Sequence, residues 1–255
     1  PSSPSVCLNI EGATDLMISL EGHSLINGET GEEELGTGIV MRDSEEIYID
    51  GVGGKIEKFR SRGISVYDTK DLSITDMEFR NNDAGVALSN VEDFEIDLLN
   101  IIGQGDGIFG YGLKNGEIST NDVDCNSWGI WGVYLEDVNN TYLGHNNIED
   151  CRQDGMSLIN AFFNEIEEND ITGVEDPYIE DVGGLFILGS SNKITENEFQ
   201  DNSAFDIKIE GCLNSLENNV NNNKDIAIVL SEEGCVSVVN CPDLENCALN
   251  ENEGI

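Results

Sequence analysis

Gly63-Ile-Ser-Val-Tyr-Asp-Thr-Lys-Asp-Leu-Ser-Ile-Thr-Asp-Met-Glu-Phe79 holds three short apolar/polar alternations: Ile64-Ser-Val66, Leu72-Ser-Ile74 and Met77-Glu-Phe79. Each is too short for a helix and suits a strand whose side chains face alternately in and out. Its opening, a Gly followed by apolar, any and apolar residues, recurs through the chain. The other instances are Gly38-Ile-Val-Met, Gly85-Val-Ala-Leu, Gly107-Ile-Phe-Gly, Gly129-Ile-Trp-Gly, Gly155-Met-Ser-Leu and Gly184-Leu-Phe-Ile. Phe205-Asp-Ile-Lys-Ile and Ile226-Ala-Ile-Val-Leu continue the pattern without the Gly. One such unit cannot bury its own apolar side chains, whereas stacked units separated by about 4.8 Å bury them in one column. The chain therefore reads as an all-β, single parallel β-helix of about ten coils over residues 1–240. Residues 241–255 are expected to form a Cys-containing hook or cap.

A second column supports this register. Asn100, Asn121, Asn146, Asn169, Asn197 and Asn218 each precede an apolar residue by two positions. Stacked at one turn, their amides can form a ladder that satisfies the backbone. The opening Ile18-Ser-Leu-Glu-Gly-His-Ser-Leu-Ile-Asn-Gly28 resembles the first coil of pectate-lyase-like right-handed β-helix proteins, of the NosD-like or parallel β-helix repeat kind. The resemblance implies a right-handed coil and a secreted or surface protein that meets polysaccharides. It does not choose a function, because this fold carries lyases, hydrolases, epimerases, adhesins and structural domains.

Seven cysteines and no C-x-x-C pair argue against a zinc ribbon and for disulfides in an oxidising, extracellular setting. Cys125 and Cys151 stand four residues before Gly129 and Gly155, so they stack within bonding distance. Cys212 and Cys235 follow Gly in consecutive coils and suggest a second staple; Cys241 and Cys247 bracket a short loop. Cys7 is left free or intermolecular. Buried thiols are the alternative for all of them.

Lys and Arg total 12 against 51 Asp plus Glu, a formal charge of −39. A nucleic-acid partner is excluded, since phosphate binding needs clustered cations. Membrane insertion is excluded by the lack of any run of roughly 18 apolar residues. The start Pro1-Ser-Ser-Pro4 reads as a processed end without a signal peptide. Salt or divalent cations would relieve the self-repulsion, so a halophilic source is an expectation. Ca2+ is a possible ligand of the acidic loops Glu29–Glu34 and Glu175–Asp181. Asn139-Asn-Thr141 is a glycosylation sequon.

Two features carry the functional expectation. The outward positions after the Gly corner are expected to form a stripe of low charge: Phe109, Tyr111, Trp131, Val133, Ile159, Phe186 and Leu188. Such a patch on an acidic cylinder suggests an interface with another subunit or surface protein, or glycan contact. The corner before the Gly collects Asp83, Asp106, Asp154 and Asp181 with Trp128 and Arg152. Asp106 and Asp154, two coils or about 9.6 Å apart, match the acid–base spacing of an inverting glycosidase; Arg152 is the local base a lyase would need. Asp before Gly is also an ordinary turn choice. The expectation is a non-catalytic cell-surface β-helix for adhesion or for assembly, including head-to-tail assembly; the alternative is a polysaccharide lyase, epimerase or glycoside hydrolase.

Overall fold

The computed structural model describes residues 6–27, 36–103, 105–126, 129–176, 178–179, 182–221, 226–229 and 238–240, with residue 221 and the last two segments described in backbone only. They form one continuous parallel β-solenoid of about eight turns, close to the ten coils expected. The C-terminal hook lies outside the described residues.

One face of the cylinder sets the register. Thr37–Arg42, the starts of Arg62–Arg80 and Ala84–Ile102, then Asp106–Tyr111, Val133–Glu136, Met156–Phe162, Gly183–Ser190 and Phe205–Glu210 stack in order. Their inward column is Ile39, Ile64, Val86, Ile108, Val133, Met156, Leu185 and Ile207, each fully buried. Two further faces carry similar columns, such as Ile118, Leu143, Ile166, Ile194 and Leu216, and all feed one core. Alternation in sequence becomes alternation between core and surface because each strand pairs with identical spacing above and below.

The Gly before each of these residues except Ile207, which follows Asp206, sits at a corner where two successive residues face the core. A Cβ on Gly63 would lie 2.5 Å from the Phe79 ring, so no side chain fits. The other corners use left-handed backbone. Of 28 non-glycine residues with positive φ, 16 are Asp or Asn, the residues whose short side chains tolerate that conformation best. Nine of these are Asp, so a part of the chain's 51 acidic residues has a backbone cause.

The asparagine ladder forms with two substitutions in its membership. Asn121, Asn146, Asn169, Asn197 and Asn219 are buried, and each Nδ2 donates to the next Oδ1 at 2.8–2.9 Å. Asn100 lies outside the column: the Leu99 N–H meets the Asn121 Oδ1 instead. Asn218 is the exposed left-handed corner beside Asn219. A second ladder, Asn164, Asn192 and Asn214, runs parallel to the first.

Cys125 and Cys151 are bonded, with Cα atoms 4.9 Å apart, and both are buried. Cys212 is also disulfide-bonded; Cys235, Cys241 and Cys247 lie outside the described residues. Cys7 is a free, exposed thiol.

The structure corrects one coil. Val133 pairs with Ile108 and Met156 and is fully buried, so it faces the core rather than the stripe. The corner glycine is Gly132, not Gly129: a Cβ on Gly107 would strike the Gly132 carbonyl. Gly132-Val-Tyr-Leu135 fits the repeat better than Gly129-Ile-Trp-Gly132, because it supplies apolar residues at both inward places. Cys125 precedes Gly132 by seven positions where Cys151 precedes Gly155 by four, and the disulfide ties the start of this longer connection to the neighbouring coil.

Candidate functional site: an aromatic and acidic face

The true register redraws the outward side of this face. One column reads Val40, Ser65, Ala87, Phe109, Tyr134, Ser157, Phe186 and Lys208. Two residues along it reads Arg42, Tyr67, Ser89, Tyr111, Glu136, Ile159, Leu188 and Glu210. Tyr111 is exposed, and Phe109, Ile159, Phe186 and Leu188 are half-buried. Glu136 takes the place expected for Val133, so the stripe carries more charge than the sequence suggested.

Trp131 is at the corner rather than in the strand, yet it reaches the same cluster. Its carbonyl accepts from the Gly107 N–H at 2.9 Å, which places it beside Asp106 on the neighbouring coil. Its ring lies 4.7 Å from that of Tyr134, tilted by 46°. Tyr134 in turn stacks on Phe109, with centroids 5.2 Å apart and planes within 6°. Three rings from two adjacent coils thus make one platform, a geometry that contributes beyond simple burial. Tyr134 was missed in the sequence; the signal was the second, overlapping Gly-apolar-x-apolar match at Gly132.

Asp106 and Asp154 flank Trp131 on that corner column. Both are half-buried, and the register separates them by two coils, about 9.6 Å. Asp83 is offset by one residue, because Ala84 is the partner of Asp106. Both carboxylates bind the backbone of the following coil. Asp106 Oδ1 accepts from the Trp131 N–H at 3.4 Å, and Asp154 Oδ1 accepts from the Gly183 N–H at 3.3 Å. Burial pushes the Asp106 carboxyl above the ordinary carboxylate range, while the Trp131 and Ile130 N–H groups and Arg62 pull it back. Arg152 turns away from the acid pair: its Nη2 sits 2.9 Å from Oδ2 of the buried Asp176. Trp128 and Asp181 lie outside the described residues.

A raised folded pKa means that Asp106 favours the folded state fully below its unfolded pKa and loses that contribution as pH rises through the folded value. Asp106→Asn keeps an acceptor for Trp131 and removes the charge. The variant is expected to melt no lower than wild type at pH 7 and to gain less on acidification; melting curves between pH 4 and pH 7 check this.

Among the described residues no group of three or more His, Cys, Asp or Glu side chains is arranged to hold a metal ion. Glu29–Glu34 lie outside the described residues. Asn139 is exposed on an outer turn bridged to Lys114 and Phe162, while Thr141 of the sequon is buried. No helix among the described residues is long and apolar enough to cross a membrane.

No curated protein matches the chain. Among solved structures, it is similar to DFA-IIIase from Arthrobacter chlorophenolicus A6. In complex with GF2 that enzyme aligns at 15% identity and a TM-score of 0.58, over 98% of this chain and 67% of that one. Without its lid it aligns at 14% identity and a TM-score of 0.57, over 94% and 69%. At such identity the likeness shows the fold. The family model described as right handed beta helix region matches residues 37–184 and 123–243. Stacked parallel strands, a continuous core and that match agree: this chain belongs to the right-handed β-helix family.

Proposed function

We propose that this protein is a non-catalytic, extracellular β-helix that binds glycans and serves adhesion or surface assembly. The observation that carries the reading is the Phe109–Tyr134–Trp131 platform, bordered by Asp106 and Asp154 on an otherwise acidic cylinder. Ring faces stack on the apolar faces of sugars, and flanking carboxylates accept from their hydroxyls. Glu136 beside the platform favours a hydroxyl-rich ligand over the apolar protein partner that the stripe first suggested. The buried Cys125–Cys151 bond supports an oxidising compartment.

Trp131→Ala is expected to weaken glycan binding roughly tenfold, as removal of a central aromatic anchor does, without shifting the unfolding midpoint. Affinity electrophoresis against immobilised polysaccharides reads it; unchanged retention on every glycan that wild type binds would remove the platform from the site. Assembly is read separately, by native mass: a protein that stays monomeric at all concentrations has no filament role.

A second reading has one specific support, the two-coil separation of Asp106 and Asp154. It makes the same face the site of a glycoside hydrolase, lyase or epimerase. Activity that disappears in an Asp106→Asn, Asp154→Asn double variant would establish it. Their backbone hydrogen bonds are the reason it ranks second.

A further inference from the structure

Next to the platform, toward the first coil, the outward side chains become small. Ala87 and Ser89 lie between Tyr67 on the preceding coil and Phe109 and Tyr111 on the following one. The result is a concave pocket of about 170 Å3, lined also by Arg62. That is smaller than the roughly 300 to 1,000 Å3 of a self-contained ligand site, and it suits one ring of a longer chain lying along the face.

Two guanidinium groups contact Tyr67, one of the pocket's lining residues. Arg42 lies over the Tyr67 ring, 4.2 Å from the centroid. Arg62 Nη1 donates to the Tyr67 hydroxyl at 3.0 Å, running along the strand over the buried Ser65. Cations are scarce in this chain, and Lys55, Lys70, Arg80, Arg152, Lys193 and Lys208 are each within 4 Å of a carboxylate. Among the described residues neither Arg42 nor Arg62 has such a partner, although acids outnumber bases fourfold. Asp106, whose carboxyl feels the Arg62 charge, is two coils away, does not line the pocket and is hydrogen-bonded to the Trp131 N–H. The arginines were each visible in the sequence, but only the register and the Tyr67 ring bring them together.

We propose that Arg42, Arg62 and Tyr67 form a subsite for an anionic sugar residue, a uronate or a sulfated ring, within the glycan bound by the platform. The guanidinium fork pairs with a planar carboxylate or with sulfate oxygens, and Tyr111 closes the opposite wall. This rests on the glycan-binding reading above and adds the charge class of the ligand.

Calorimetric titration at near-physiological ionic strength tests it on the full chain. The probes are oligogalacturonate and oligomannuronate with their methyl esters, heparin-derived oligosaccharide with its desulfated form, and neutral cello-oligosaccharide. At least one acidic probe is expected to bind about tenfold or more tightly than its neutralised counterpart, the scale of one lost charge-assisted pair. Arg62→Gln is expected to erase that preference, Arg62→Lys to retain part of it, and both to unfold at the wild-type midpoint. Whether the ester or the desulfated form loses more identifies carboxylate or sulfate. Equal binding of acidic and neutral forms, or a loss in Arg62→Gln that is the same for both, overturns the subsite while leaving the platform standing. No binding to any probe by wild type overturns both.

Discussion

Asn169→Leu is expected to lower the free energy of unfolding by about 3 to 5 kcal/mol, the largest single-residue effect anticipated here. Leucine keeps the branched skeleton of asparagine but is bulkier and apolar, so the loss combines the missing hydrogen bonds with some overpacking of the column. Asn169 Oδ1 accepts from the Asn146 N–H at 3.0 Å and from its Nδ2 at 2.8 Å. Its own Nδ2 donates to the Leu143 carbonyl at 2.9 Å and to Asn197 Oδ1 at 2.9 Å. The replacement orphans several of these groups in a fully buried column, each at a cost of about 1 to 3 kcal/mol when unmet. Asn147→Ala, one residue from Asn146 but pointing to the exposed Asp122 carboxylate, is expected to change stability by less than about 0.5 kcal/mol. Urea unfolding of the three proteins checks this, with unchanged m-values required for the comparison. A loss below about 1 kcal/mol for Asn169→Leu would mean that water or relaxation replaces the ladder.

Removing the Cys125–Cys151 bond, as Cys125→Ala with Cys151→Ala, is expected to cost about 3 kcal/mol, the chain-entropy value for a loop of this size. The bond spans 26 residues, and these include the longer connection that leads to Trp131. Reduction of wild type should cost at least as much once the buried bond is reached, because it also opens the bond at Cys212. Tryptophan fluorescence adds a local readout: if the bond holds this connection, Trp131 emission shifts to the red before global unfolding. Coincident loss of fluorescence and secondary structure would assign the bond a purely global role. In a solenoid whose coils contact only neighbours, separation of the two is expected.

The coil was legible in the sequence because it is enforced many times over. Ile64, Val66, Leu72, Ile74, Met77 and Phe79 all reach the core that their alternation assigns to them, and a slip of one residue would expose the whole set. The Cys125–Cys151 pairing was legible too, although Gly129, from which it is counted, is not the corner; the strand pairing of Val123 with Ile148 is what stacks the two cysteines. The ladder's interior was readable too, but its ends were not. Asn100 lies in a strand, paired with Glu78 and Asp122, and Asn218 is a left-handed corner, so an Asn two residues before an apolar one does not by itself mark a ladder position.

The site was less legible. Phe109, Tyr111, Ile159, Phe186 and Leu188 lie on the expected outer face, but Val133 faces the core and Trp131 reaches the cluster from the corner. Two overlapping Gly motifs, at Gly129 and Gly132, both satisfy the short pattern. Only contact with the coils above and below selects the second, since Val133 must fill the column between Ile108 and Met156. Likewise Arg152 sits near Asp154 in sequence, yet the buried Asp176 draws it away.

The sequence by itself determined the coil, its stacking and the staple, because burial of apolar side chains repeats with the chain and punishes every wrong register. The tertiary structure alone decided which rings form the platform and that Arg42, Arg62 and Tyr67 converge. Outward side chains carry no burial constraint of their own, so their grouping follows from how consecutive coils are offset, and the three extra residues between Cys125 and Gly132 reset that offset.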